Sequence, residues 1–161
     1  MENTPVDLVV RPGDSVLALP SLICPRCRSA GMRLGARGLV LPYRNMGALR
    51  IPEFVRVPAC SRCKHRWLDA EAEAELKGVL PEAFRRALKA RFAELLDVLV
   101  PQHTSQRRLE QLLDLSQGYL SRLYRGAGVP SAQLVGHLAL IAADPLRRLE
   151  ELHRYWNVER R

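Results

Sequence analysis

The stretch CSRCKHRW, residues 60–67, sets two cysteines three positions apart among four basic or imidazole side chains. Read alone, Cys60-Ser-Arg-Cys63 is a redox dithiol, half of a metal site or a coincidence. A second pair, Cys24-Pro-Arg-Cys27, lies upstream, with 32 residues between the two pairs. Each Cys-x-x-Cys closes a tight turn that presents two thiolates side by side, and two such turns brought together supply the four sulfurs of a structural tetrahedral site. Cys24, Cys27, Cys60 and Cys63 are therefore the expected metal ligands, with zinc as the expected cofactor and iron left open. Four cysteines fill the coordination sphere, so the site is expected to be structural, not catalytic.

Two other readings bear on these residues. CPRC is similar to the Cys-Pro-x-Cys of thiol oxidoreductases, but one dithiol suffices there and no βαβ pattern surrounds this one. His65 stands only two residues past Cys63, a poor place from which to close the same chelate, and is expected on the surface. On the outside of the metal-held turns, Arg26, Arg28, Arg62, Lys64 and Arg66 are expected to face solvent or phosphate.

Charge follows the cysteines. The 161 residues carry a formal charge of +8. From Cys24 to Arg66 there are ten Lys and Arg against the single acid Glu53, a net of +9; from Trp67 to the end, 14 basic and 13 acidic residues leave +1. Such concentration in one segment suits a surface that meets phosphate or another acidic partner. With 47% apolar and 26% charged residues the chain has the composition of a folded protein. It has no apolar run of membrane-spanning length and no signal-peptide pattern, so a cytoplasmic protein without membrane contact is expected, and its thiols are expected to be reduced.

Working outward from the cysteines, residues 1–20 read as an extended arm or an edge strand at DLVV, and 21–68 as a zinc-ribbon module with short β runs at GLVLPY and FVRVPAC. From Asp69 the pattern turns helical. Residues 69–100 are expected as two connecting helices, the first capped by Asp69 and ended by Gly78 and Pro81, the second running from Pro81 to about Val100 with Phe84, Leu88, Phe92, Leu95, Leu96 and Leu99 on one face. Residues 101–161 form the last domain: helices are expected at 105–113, 116–125 and 131–143, and from Asp144-Pro145 through Leu146, Leu149, Leu152 and Trp156, with Trp156 expected in the core because it falls at helical spacing beside these leucines. The expected class is α+β: a small zinc-ribbon-like β module followed by an all-α domain.

The segment SQRRLEQLLDLSQGYLSRLYRG, residues 105–126, carries the second motif. Leu109, Leu112 and Leu113 mark one inward face and Leu120 and Leu123 the next, with Asp114 and Leu115 between them as a turn. Gln117, Gly118, Ser121, Arg122 and Arg125 are left outward, where the second helix of a helix-turn-helix reaches base edges in the major groove.

On these residues the segment resembles the Cro/CI (Xre)-type DNA-binding family. The match runs from Ser105-Gln106 through Leu109, Leu113, Ser116, Leu120 and Leu123 to Arg125-Gly126 and Pro130. In phage repressors of this family glutamines open both helices and contact DNA, and Gln106 and Gln117 stand at the matching places. The chain departs where Asp114 replaces the usual turn glycine and Tyr124 the usual glutamate. The order of parts over residues 22–156 is also similar to the MqsA-type antitoxins, whose zinc module grips a toxin and whose helical domain binds the operator as a dimer. Arg122 matches their base-reading arginine, whereas Gly118 replaces their asparagine.

The resemblance implies a transcriptional repressor that binds double-stranded DNA as a homodimer through Gln106, Gln117, Gly118, Ser121, Arg122 and Arg125. An antitoxin that also represses its own operon is the alternative, with a toxin or acidic protein at the zinc module; a nucleic-acid-binding module of a larger assembly is a third. A net charge of +9 on the zinc module would repel a basic ribonuclease toxin and suits nucleic acid better. No phosphate loop, carboxylate cluster or Ser-His-Asp grouping is present, so no enzyme is expected.

Overall fold

The computed structural model describes residues 22–157, together with the short strands Leu8–Val9 and Val16–Leu17. The chain is α+β, small antiparallel sheets followed by helices, and divides into two compact units, Met1–Phe84 and Arg85–Arg161.

In the first unit, β1 (Leu8–Val9), β2 (Val16–Leu17), β3 (Gly31–Gly35), β6 (Arg56–Cys60) and β7 (His65–Arg66) form one antiparallel sheet in the order β1-β7-β6-β3-β2. The edge strand expected at DLVV is β1, paired with β7; Val16–Leu17 of the expected arm form β2 on β3, and the rest of the arm lies outside the described residues. A separate hairpin joins β4 (Val40–Tyr43) to β5 (Met46–Arg50), so both expected β runs, GLVLPY and FVRVPAC, contain strands. The central register of β3 on β6 sets Gly31 opposite Cys60. Only glycine fits there: a Cβ at 31 would stand 2.5 Å from Cη2 of Trp67. Apolar side chains from this scaffold, including Leu39, Leu41, Ile51, Val55 and Val57, pack with Ala72 and Leu76 of the first long helix to form the core of the unit.

That helix, α1, runs from Ala70 to Gln102 without interruption, where the sequence predicts two helices meeting at Gly78 and Pro81. Asp69 caps it as expected, its Oδ1 accepting the Ala72 N–H at 3.0 Å. Gly78 and Pro81 do not end it, because burial continues on both sides of them: Ala72 and Leu76 before, Ala83, Phe84, Leu88 and Phe92 after, all at helical spacing. Packing along the whole stripe outweighs the one main-chain hydrogen bond that Pro81 forfeits.

The second unit holds the remainder of α1 and four shorter helices, α2 (Gln106–Leu112), α3 (Tyr119–Tyr124), α4 (Ala132–Ala143) and α5 (Pro145–Asn157). Ser105 and Ser131 cap α2 and α4 through their hydroxyls, as their positions predict. The helix expected over 116–125 is shorter: α3 begins at Tyr119, and residues 116–118 form the turn before it. Leu99, Leu109, Leu120 and Leu138 are fully buried in this unit.

The inward face expected for α5 is a correction. No residue of α5 is buried; Leu146 is 74% exposed and Trp156, expected in the core, is 52% exposed. As the last described helix, α5 is covered from one side alone. It meets α2 and α4 across an open groove of about 610 Å³ with Leu113, Leu140, Ile141, Leu152 and Tyr155 among its lining. Trp156 closes on α2 by donating its indole N–H to the Leu112 carbonyl at 2.9 Å. Among the described residues no helix is long and apolar enough to cross a membrane.

Candidate metal centre and helix-pair surface

The two Cys-x-x-Cys turns come together although 32 residues separate them in sequence. Cys24 precedes β3 and Cys60 ends β6, and the pairing of Gly31 with Cys60 places the two turns at the same end of the sheet. Both turns have the same build. Each is followed by a residue in the left-handed region, Arg28 at φ 61° and Lys64 at φ 61°, which swings the chain back under the sulfurs. In the second turn the N–H groups of Arg62 and Cys63 point to the Cys60 Sγ at 3.3 and 3.4 Å. In the first, the Arg28 N–H donates to the Cys24 carbonyl and the Cys24 N–H to the Ser29 carbonyl.

The four Sγ atoms lie within 4.8 Å of one another, with Cys24 3.7 Å from Cys63 and Cys27 3.4 Å from Cys60. Metal–sulfur bonds of about 2.3 Å in a tetrahedron put sulfurs about 3.8 Å apart, so the cluster can hold a metal ion. Its charge balance points the same way. Side-chain and backbone hydrogen bonds from Ser29, then one from Cys60, bring the Cys27 thiol down to about 6. Cys63, although helped by a backbone hydrogen bond from His65, is pushed up to about 12 by burial and its sulfur neighbours Cys27, Cys60 and Cys24. Thiolates this close repel, and a cation lets all four ionise together.

Two residues beside the cluster are not where the sequence puts them. His65 is 8% exposed and Arg66 1% exposed, so neither lies on the outer surface and Arg66 is withdrawn from the candidate phosphate contacts. The reason is topological: β7 lies between β1 and β6 in the sheet interior. The His65 ring stacks on Trp67 at 6.2 Å, and Arg66 Nη1 donates to the Arg37 carbonyl at 3.5 Å. Arg33 is buried as well, its Nη2 bonded to Asp69 at 2.6 Å and to Glu71 at 2.5 Å. Arg26, Arg28, Arg62 and Lys64 are exposed, as are Arg37, Arg44, Arg50 and Arg56. Eight of the ten basic groups of this segment thus reach its surface.

In the second unit, α2 and α3 are joined by residues 113–118. Asp114 takes the left-handed conformation, φ 52°, that a turn glycine would otherwise supply. Leu120 and Leu123 are buried and leave Gln117, Arg122 and Arg125 exposed, with Ser121 and Gln106 half-buried. Gln106 and Ser121 spend their polar groups on each other, Nε2 to Oγ at 2.6 Å, and so tie α2 to α3. Arg122 folds back over the start of its own helix, donating to the Gln117 carbonyl at 3.3 Å and to Ser116 Oγ at 3.4 Å. Arg125 Nε donates to the Ser121 carbonyl at 3.3 Å. Tyr124 donates its hydroxyl to Asp97 of α1 at 2.8 Å, an interaction that raises the phenol above its ordinary range.

Glu110 is absent from the residues that sequence reasoning singled out. It is 3% exposed and turns both carboxylate oxygens to the start of α3. Helical spacing gives no signal for it: one residue past Leu109, Glu110 falls beside the apolar stripe rather than on it, and its burial comes from α3.

Compared with protein-family models, curated proteins and solved structures, the chain gives no match.

Proposed function

We propose that the protein is a sequence-specific, DNA-binding transcriptional regulator, a dimeric repressor stabilised by one structural zinc in the four-cysteine cluster. The observation that carries this reading is the α2–α3 pair: two short helices joined by residues 113–118, with Leu120 and Leu123 of the second turned inward and Gln117 just before it, Arg122 on it and Arg125 at its end turned outward. That is the arrangement of a helix-turn-helix, whose second helix enters the major groove with its amino-terminal residues at base edges. In this reading Arg122 pairs bidentately with the O6 and N7 of a guanine, Gln117 lies beside it, and Gly118 lets the backbone come close to DNA. Gln106 and Ser121 act chiefly through each other. Arg125 and the exposed Arg26, Arg28, Arg62 and Lys64 supply phosphate contacts that carry affinity without sequence preference. The resemblance to Cro/CI (Xre)-type regulators supports the same reading from the sequence side.

A two-fold pair of chains is the expected state, and the exposed Leu140, Leu146, Tyr155 and Trp156 give it apolar surface to bury. The preferred target is then an inverted repeat with half-sites about 34 Å apart, one helical turn. Zinc supplies only a cross-link here, and the cysteine turns do the rest by fixing where the basic side chains stand.

Selection of binding sites from random duplex DNA tests the reading. The wild type should enrich a sequence with a fixed guanine in each half-site, and Arg122→Ala should lose that guanine at a cost of about 1 to 3 kcal/mol in binding the wild-type site. If the two proteins enrich the same sequence, Arg122 is a surface residue and the reading loses its main support.

A second reading has one observation of its own. Phe54 and Ile23 are exposed within the basic first unit, a mixture of apolar and cationic groups that suits a protein partner, and an antitoxin role would fit it only for a toxin that is acidic where it docks. A protein of that kind without operator binding would enrich no sequence at all in the same selection.

A further inference from the structure

We infer that Glu110 is the positioning residue for α3: from the neighbouring helix it fixes the turn over which Arg122 lies, and so sets how well the protein distinguishes its DNA site. This inference rests on the regulator reading for its functional consequence, and on hydrogen-bond geometry for the positioning itself.

α3 has no cap of its own. The residue at its amino-terminal cap position is Gly118, at φ 74°, which offers no side chain to the free N–H groups of the first turn. Glu110 fills that role from α2. Its Oε2 accepts the Gly118 N–H at 2.9 Å and its Oε1 accepts the Leu120 N–H at 2.9 Å. In a capping box two separate residues divide these tasks, one side chain accepting from the second or third helical N–H and another reaching back to the cap residue's own N–H. Here one carboxylate, 3% exposed, does both. Two hydrogen bonds from main-chain N–H groups to one side chain fix the turn from both ends, and the amino-terminal end of a helix is where such an acceptor is favoured.

The turn fixed in this way is the one that carries Arg122. A Cβ on Gly118 would lie 3.5 Å from Arg122 Nη1, so the guanidinium rests directly over the glycine. Its two donors go to Gln117 and Ser116, both in the same turn. Glu110 holds residues 118 and 120, these hold the turn, and the turn holds the arginine. Without the carboxylate, two buried N–H groups lose their acceptor and the turn is free to change its main-chain angles.

Two variants test this. Glu110→Ala removes both acceptors, and Glu110→Gln keeps shape and burial but replaces one acceptor oxygen by an NH2 group that cannot accept. Amide hydrogen exchange, read by NMR, should accelerate about tenfold or more at both Gly118 and Leu120 in Glu110→Ala and at one of the two in Glu110→Gln, while amides of α1 and α4 keep their rates. The binding probes are the duplex the wild type selects and a shuffled duplex of equal length. In folded Glu110→Gln the ratio of the two affinities should fall about tenfold, with binding to the shuffled duplex unchanged. Unchanged exchange at both amides, or an unchanged affinity ratio, overturns the inference. A wild type that selects no sequence, while exchange at Gly118 and Leu120 still depends on Glu110, overturns the regulator reading and supports the positioning role.

Discussion

Asp69 serves two structures at once. Its Oδ1 caps α1 by accepting the Ala72 N–H, and its Oδ2 pairs with Nη2 of Arg33 on β3, whose side chain is almost wholly buried. Capping is worth about 1 kcal/mol, and leaving a buried guanidinium with a single exposed partner, Glu71, costs more than that. Asp69→Ala should therefore destabilise the first unit by about 3 kcal/mol in urea unfolding, and a loss below about 1 kcal/mol would mean that solvent replaces the carboxylate. Residues of this kind were half legible. The cap could be read from Asp69 before an alanine- and glutamate-rich run, and so could the left-handed turn at Asp114. The partnership with Arg33 could not, because 36 positions separate the two residues.

At the scale of the element, α1 and α5 depart from expectation in opposite directions. α1 continues through Gly78 and Pro81 because tertiary burial outweighs local breakers, which leaves Pro81 as an uncompensated weakness inside a helix. Pro81→Ala should then stabilise the protein, by up to about 3 kcal/mol less the entropy that proline removes from the unfolded chain. The thermal midpoint measures this, and an unchanged or lower midpoint would place the helix boundary where the sequence puts it. α5 has strong apolar periodicity and yet no buried residue. Periodicity states which side chains share a face; it does not state whether anything covers that face.

At the scale of the whole molecule, the two units draw on different residues for their interiors: Val55, Val57, Ala72 and Leu76 in the first, Leu99, Leu109, Leu120 and Leu138 in the second. If the four-cysteine cluster holds zinc, removing it should act on the first unit alone, since a β module of this size buries too little apolar surface to stand without a cross-link. Freshly purified, reduced protein should carry one zinc per chain by elemental analysis. A chelator, or Cys60→Ser, should abolish the near-ultraviolet signal of Trp67 while most of the helical circular dichroism remains. Absence of stoichiometric metal, or a Cys60→Ser variant as stable as the wild type, would refute the metal centre.

The sequence alone determined the four cysteines of the cluster, the inward leucines of α2 and α3, the caps at Asp69, Ser105 and Ser131, and the order of a β unit before a helical one. Each of these depends on spacing along the chain or on a contact within a few residues. Only the tertiary structure decided that β7 lies inside its sheet, burying His65 and Arg66 in place of exposing them. It alone decided that α1 is one helix and that Glu110 caps α3 from a neighbouring helix. These outcomes depend on which distant segment covers a side chain. Burial and pairing across the fold carry free energies larger than the local preferences a sequence displays, so where the two conflict the distant partner prevails.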